Sequence, residues 1–475
     1  MNPKSFDVAI IGAGSAGFAA ARAATGLGLK TVLLEGGPEV GGLCILRGCM
    51  PAKTLLYAAE MLHQVRRAHT WGLHAHDIGF DFDQVMARKN ALIETFAAYR
   101  RDQLEHGAFK FIRATGKFAD PHTLALDNGQ TLAAKHFVIC TGSIVSPPPV
   151  ATLRQTGFLT SDQAMSLAKL PKSLIVLGGG PVALELAQFF ARFNVKVTIV
   201  QRSRHVLKVC DDEVAETLET VLRREGIALF TDTKLVDAWR EGLLKGVSFQ
   251  HQNQVVRIAA EEILLALGRS PNTAGLDLEN AGVYTDNGRI IANTEMQTTT
   301  RHIYAAGDCT GPHEIVHVAI QQGEIAVHNI AHPAKKKSLD YRLLSQVVFT
   351  EPQIAQVGLT EKEAKIRQTP YLTASYPFND HGKSLIMETL DGFVKLLADP
   401  KTGEILGGSA VGPLTGELIH EIVAAMHHRM TVKELARMPH YHPTLAEIWT
   451  YPAEELAEKV QRSSTSNRPA AQRSL

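Results

Sequence analysis

FDVAIIGAGSAGFAAARAATGLGLKTVLLE, residues 6–35, opens on an apolar run and breaks at once on glycine. FDVAII reads as a buried parallel strand. Gly12, Gly14 and Gly17 follow as G-x-G-x-x-G, an alanine-rich helix runs on, and a second strand, KTVLLE, ends at Glu35. Strand, glycine turn, helix, strand and terminal acid form a dinucleotide-binding unit. The glycines permit a tight turn and close approach of a pyrophosphate to the helix N-terminus, while Glu35 can accept hydrogen bonds from a ribose. A chance glycine turn would not need the two flanking strands and the acid.

The pattern returns at residue 173 as SLIVLGGGPVALELAQFFARF, followed by the strand VKVTIV. Gly178 and Gly180 take the first two glycine positions and Ala183 the third. Two such units imply two dinucleotides, or one dinucleotide and a flavin. Gln201 stands where the first unit has Glu35, and Arg202, Arg204 and Lys208 come close behind. With the acid gone and cations supplied, a 2′-phosphate is better accommodated than a free 2′-hydroxyl. A solvated basic turn is the plainer alternative and stays open here.

Between the units lies GGLCILRGCMPAKTLLYAAEML, residues 41–62, with Cys44 and Cys49 five residues apart. KTLLYAAEML is helix-forming, Pro51 suits a first turn, and Cys49 therefore sits at a helix N-terminus that favours a thiolate. An extended span would hold the cysteines well beyond the roughly 4.4–6.8 Å between Cα atoms of a disulfide, so the loop is expected to fold back at Gly48. A redox-active pair is the sharp reading. Two unrelated buried cysteines or a structural disulfide are the alternatives, since C-x₄-C has no dedicated meaning.

At 475 residues the chain exceeds one core, and two to four domains are expected. An apolar share of 45% and a charged share of 20% fit an ordinary globular protein, and a net charge of +1 gives no pull toward nucleic acid or an anionic membrane. No window is apolar enough for a membrane span, and the N-terminus lacks a signal-peptide layout. Five cysteines fit a reducing cytoplasm and a catalytic pair better than a disulfide scaffold. No metal site is expected.

Residues 81–106 read as a helix polar on one face, with no chemistry of their own. Strands follow, with a hairpin signal at Asn128-Gly129, then the stiff connection SPPPV, residues 146–150. Beyond the second unit come further hairpins, EILLALGRSPNTAGL, the strand-end HIYAAGDCTG, and a final region mixing strands and helices. Near its end, HYHPTLAEIW places His442 close enough to Glu447 for the carboxylate to orient the imidazole, although such a pair is often structural. The tail from Arg462 is polar and expected to be disordered. The expected architecture is α/β, with two Rossmann-like dinucleotide-binding domains plus a C-terminal α+β domain.

Up to about residue 460 the chain resembles the flavoprotein disulfide reductases, the family of dihydrolipoamide dehydrogenase, glutathione reductase and mercuric reductase. The matching pieces are GAGSAG with Glu35, GGLCILRGCMPAK, ATGKF, TGS, GGGPVALE, ALGRSPN, AAGDCTG and HPTLAE. The resemblance implies FAD held by Gly12, Gly14, Gly17, Glu35, Lys53, Gly116, Gly142 and Asp308. It implies a nicotinamide cofactor on Gly178, Gly180, Ala183 and Gly268; the residues after Gln201, not the resemblance, lead to the expectation that Arg202 and Lys208 favour NADP(H) over NAD(H). Lys53 and Glu185 match an ion pair beside the flavin. Cys44 would be the interchange thiol, Cys49 the charge-transfer thiol, and His442 with Glu447 the acid/base reaching in from the partner of a homodimer. Residues 1–150 and 273–340 would form the flavin domain, 151–272 the nicotinamide domain, 341–461 the dimerisation domain, and 462–475 the tail. The substrate would be a small or lipoyl-protein disulfide. The same dithiol could instead serve a metal, quinone or other oxidant, or the chain could act mainly by docking to a lipoyl-bearing partner. Leu43, the ILR segment, Ala183 and Gln201 depart from the dihydrolipoamide dehydrogenase pattern. The chain lacks the C-terminal cysteine pair and N-terminal metal-binding domain of many mercuric reductases, and keeps HPTxxE.

Overall fold

A computed structural model describes residues 5–311 and 313–466. Strand β1 (Ser5–Ile11) pairs in parallel with β2 (Thr31–Glu35) on one side and with Thr131–Ile139 on the other. Its apolar run is continuous because both faces are covered. Val8 and Ile10 pack with Ala20, Ala21 and Ala24 of helix α1 (Ser15–Gly26), whereas Ala9 and Ile11 join the opposite core around Phe118 and Phe137. Thr131–Ile139 is shared: its first residues pair antiparallel with Thr123–Leu126, and its last pair in parallel with Ile303–Ala305, which arrives from far downstream. The hairpin expected at Asn128-Gly129 joins Thr123–Leu126 to Thr131–Ile139.

The chain leaves this sheet through Ser143–Val145 and returns through Arg269–Pro271, and the two segments pair antiparallel. Between them stands a four-stranded parallel sheet built on Ser173–Leu177, with a three-stranded antiparallel sheet (Lys234–Glu241, Leu244–His251, Gln254–Ala260) beside it. Ser173–Leu177 repeats the two-faced burial of β1: Leu174 and Val176 face one core, Ile175 and Leu177 the other. The last region is a five-stranded antiparallel sheet with Ile419, Ile422, Leu435 and Trp449 packed on it from helical segments. Two dinucleotide-type sheets, the first mixed and the second parallel, and a C-terminal α+β layer are the architecture expected from the sequence.

One expectation needs correction. Residues 462–466 continue the helix Thr450–Ser466 rather than starting a disordered tail; the rest of that tail, 467–475, lies outside the described residues. Opposite charges at i, i+4 spacing (Glu455–Lys459, Glu458–Arg462) sustain the polar end of this helix. Among the described residues, no helix is long and apolar enough to cross a membrane.

Candidate active site

At the first glycine turn, Gly12 has φ +99°, and a Cβ there would fall 2.4 Å from the Cys140 carbonyl oxygen; one on Gly17 would fall 1.8 Å from the Gly12 carbonyl oxygen. Only glycine fits these two positions. Gly14 instead faces open space at the N-terminus of α1, where backbone N–H groups await an anion. Glu35 accepts from the backbone N–H groups of Ala13 (3.0 Å) and Gly37 (2.8 Å), which leaves each carboxylate oxygen a further lone pair. Thr141, beside Gly12, has a buried hydroxyl with no partner among the described residues. An open anion cradle, a fixed carboxylate at the strand end and an orphaned hydroxyl are what an adenine dinucleotide would satisfy.

The cysteine segment rests on this turn. Helix α2 (Gly42–Arg47) begins with Gly42 at φ +78°, where a Cβ would lie 2.8 Å from Gly14 Cα. Cys44 is thus helical, not part of an open loop. The fold-back occurs at Gly48, where a Cβ would press on the Leu43 carbonyl (3.0 Å) and Cys44 Cα (3.2 Å), and α3 (Cys49–Arg66) starts on Cys49 itself. Both cysteines are half-buried free thiols. A hydrogen bond from Cys44 stabilises the Cys49 thiolate against the cost of burial, with help from Lys53, and the Cys49 pKa is pushed down to about 7. Cys44, donating that bond and itself buried, is driven up. Cys140, Cys210 and Cys309 are buried and raised, so they are inert by comparison.

Lys53 lies one helical turn beyond Cys49. Its Nζ is 2.7 Å from Glu185 Oε2 and 4.6 Å from the Phe349 ring centroid, while Phe349 N donates to Glu185 Oε1 (2.9 Å). This cluster joins α3, the helix Pro181–Arg192 and the C-terminal region around a nearly buried carboxylate. On the other side, Ser143 Oγ donates to Asp308 Oδ2 (2.6 Å) and accepts from Arg269 Nε (2.7 Å). Gly142 (φ +69°) and Gly268 (φ +107°), both facing open space, flank that network. Gly116 begins the strand Gly116–Asp120 beneath Leu126, whose Cδ2 lies 3.0 Å from where a Cβ would be, so packing alone favours a residue without a side chain there.

In the second unit Gly178 (φ +122°) crowds the Ala266 carbonyl oxygen, Gly180 faces open space before Pro181, and Ala183 is buried in the helix. Gln201 packs over Gly179, and its Nε2 reaches the His205 carbonyl oxygen at 3.4 Å. Arg202 and Lys208 are exposed, and among the described residues neither side chain has a hydrogen-bonding or ion-pair partner. Asp211, Glu213 and Glu361 stand close enough to suggest a cation site, but Lys395 Nζ already sits among them.

His442 Nδ1 is 2.9 Å from Glu447 Oε2, and Thr444 N donates to Glu447 Oε1 (3.3 Å). The carboxylate is nearly buried and the imidazole is 78% exposed, so the ring is held by one nitrogen and presents the other to solvent. His442 is not in the wall of the cleft beside Cys44. That cleft, of about 430 Å³, is lined by Phe18, Arg22, Cys44, Arg100, Ile320 and Glu324 among others. The Arg100 guanidinium lies 3.9 Å from the Phe18 ring centroid, its Nε buried and unpartnered, and Arg22 approaches the same ring at 5.8 Å. Arg100 belongs to the stretch 81–106, which is helical as expected, and it lines this cleft. Only its distance along the chain hid it; no local motif marks it.

Two glycine-turn units and a polarised dithiol seated on the first define a flavin- and nicotinamide-linked oxidoreductase. The pyridine nucleotide-disulphide oxidoreductase pattern matches residues 6–323, and its dimerisation-domain pattern matches 344–453. The chain is 34% identical over 460 residues to dihydrolipoyl dehydrogenase of Bacillus subtilis (strain 168), covering 93% of this chain and 96% of that one. It is 36% identical over 469 residues to mercuric reductase of Streptomyces lividans, with 97% and 98% covered. Among solved structures it is similar to the HOCl-induced flavoprotein disulfide reductase RclA from Escherichia coli (TM-score 0.83, 26% identity, 94% and 99% covered). It is also similar to LpdA from Mycobacterium tuberculosis (TM-score 0.84, 29% identity, 95% and 99% covered). The chain belongs to the pyridine nucleotide-disulphide oxidoreductase family, FAD-dependent enzymes that act on a sulfur group.

Proposed function

We propose that this chain is a homodimeric, NADPH-preferring disulfide reductase of the cytoplasm, with Cys44 attacking the substrate in the Arg22–Arg100 cleft. The observation that carries this is the dithiol, whose two thiols are driven in opposite directions while α2 rests on the first glycine turn. FAD supplies a two-electron relay between nicotinamide and the cysteine pair; Gly12, Gly14, Gly17, Glu35, Gly142 and Asp308 would hold it, with Lys53 and Glu185 at its reactive end. Residues 1–150 and 273–340 would be the flavin domain, 151–272 the nicotinamide domain and 341–461 the dimer interface.

Starting from the dithiol, His442 of the partner subunit takes the Cys44 proton, and Cys44 Sγ attacks one sulfur of the substrate disulfide. A mixed disulfide forms, and the leaving thiolate takes that proton from His442, held in place by Glu447. Cys49 thiolate then attacks Cys44 Sγ, the second substrate thiolate leaves, and the Cys44–Cys49 disulfide remains to be reduced again. The exposed position of His442, away from its own chain's Cys44, supports delivery across a dimer.

Two guanidinium groups in the cleft favour a disulfide with an anionic group nearby. Turnover of lipoamide, lipoate, glutathione disulfide and Hg(II), each with NADH and NADPH, tests the reading. Lipoate and lipoamide share one dithiolane and differ in charge, so lipoate is expected to be preferred, and Arg100→Ala to erase the difference. No turnover of any disulfide, with Hg(II) active, would move the chain to the metal-reducing branch. His442→Ala is expected to slow substrate reduction about 10²–10⁴-fold and spare reduction of the flavin by NADPH. In the reduced protein, alkylation of Cys49 is expected to accelerate as pH rises through about 7. Cys44→Ala, which removes the stabilising donor, is expected to move that rise to higher pH.

A further inference from the structure

We infer that His381 is a positioning residue for the acid/base pair, clamping the second oxygen of Glu447 from inside the fold. The inference rests on the proposed role of His442. Glu447 Oε2 faces His442 Nδ1 at 2.9 Å, and Glu447 Oε1 lies 3.5 Å from His381 Nε2. His381 is fully buried, and its Nδ1 lies 2.9 Å from Ser384 Oγ, also buried. Three groups therefore stand in line, from solvent inward: imidazole, carboxylate, imidazole.

The tautomer follows from the two contacts. If Nδ1 carried the proton, the Nε2 lone pair would face a carboxylate oxygen in a buried site, two acceptors against each other. With Ser384 donating to Nδ1, the Nε2 proton points at Glu447 instead. Burial lowers the His381 pKa, outweighing the pull of Glu447, so the ring is neutral and donates without adding a cation beside His442. The ionisable groups around it are Glu447 and His442, Tyr451 at 6.3 Å edge-on, and one layer out Tyr376, stacked on Tyr451 and bonded to Asp380. Among these only Glu447 presents an acceptor within 3.5 Å of Nε2. At 3.5 Å the contact is long, and Nε2 is otherwise a buried donor without a partner among the described residues.

A carboxylate held on both oxygens cannot rotate away from Nδ1–H of His442. Without the inner donor, Glu447 keeps only Thr444 N on that oxygen and is freer to rotate away from His442. The His442 imidazolium then loses its counter-charge.

The test is the pH profile of substrate-disulfide reduction by stopped flow, using the FAD-loaded, two-electron-reduced dimer. His381→Leu is expected to slow this step about tenfold, as for losing one hydrogen bond to a charged group. It should also move the limb set by protonation of His442 to lower pH and leave KM for the disulfide and flavin reduction by NADPH unchanged. His381→Gln, which keeps a donor, is expected to retain the wild-type limb. Ser384→Ala, which frees the tautomer, should move the limb the same way by less, and it decides the question if His381→Leu fails to fold or retain FAD. An unmoved or raised limb in the folded variants overturns the inference. His442→Ala, run alongside, separates the two failures: if it does not slow this step, the acid/base role itself is wrong.

Discussion

The two glycine-turn units have nearly the same backbone and different ends. In the first, the residue closing the second strand is Glu35, tied to two backbone N–H groups of its own turns. In the second it is Gln201, bonded only weakly to the next turn and followed by exposed cations. On the proposed reading the glycines set how closely a pyrophosphate can approach, and the strand-end residue sets what the adenosine ribose can carry. A fixed carboxylate organises a ribose diol and repels a phosphate. An amide beside unpaired guanidinium does neither.

Breaking the first unit should have the largest effect. Glu35→Ala removes two charge-assisted hydrogen bonds as well as the proposed ribose contact, and FAD affinity is expected to fall about 10²–10⁴-fold, read from flavin retained on gel filtration. Converting the second unit toward the first comes next. Gln201→Glu is expected to cut kcat/KM for NADPH about 10–100-fold through repulsion while sparing NADH and flavin content. Unchanged NADPH kinetics would remove Gln201 from the specificity argument.

Arg202→Ala should raise KM for NADPH about tenfold and barely change that for NADH; the lower end of the charge-assisted range applies because the side chain is exposed. The effect should shrink at high salt. Lys208→Ala, an exposed point charge, should change the same constant by only about 2–5-fold. A higher wild-type kcat/KM for NADH would overturn this ordering and place the chain with NAD-using enzymes.

Much of the fold was legible because its decisive elements are local. The apolar runs of β1 and of Ser173–Leu177 name buried strands, and Gly12 and Gly178 are forced by carbonyl oxygens under 2.5 Å from any Cβ. Cys44, Cys49, His442 and Glu447 were visible because each pair is close in sequence. What stayed hidden was the contact between distant segments. Arg100 meets the Cys44 cleft from a helix with no motif, and His381 reaches Glu447 from a turn more than sixty residues earlier. Periodicity finds faces of one element; it has no purchase on which two elements those faces bring together.

The return of Ile303–Ala305 to the edge of Thr131–Ile139 has a consequence for synthesis. The first sheet cannot be completed until the ribosome has passed that strand, by which time the whole second unit has emerged and can already be folded. The nascent chain thus carries an open strand edge throughout the making of its own middle. The paired segments Ser143–Val145 and Arg269–Pro271 bring the exit and re-entry points together, so a folded middle shortens the effective loop that the late strand must close. Damage to the second unit would then be felt first as failed maturation of the first.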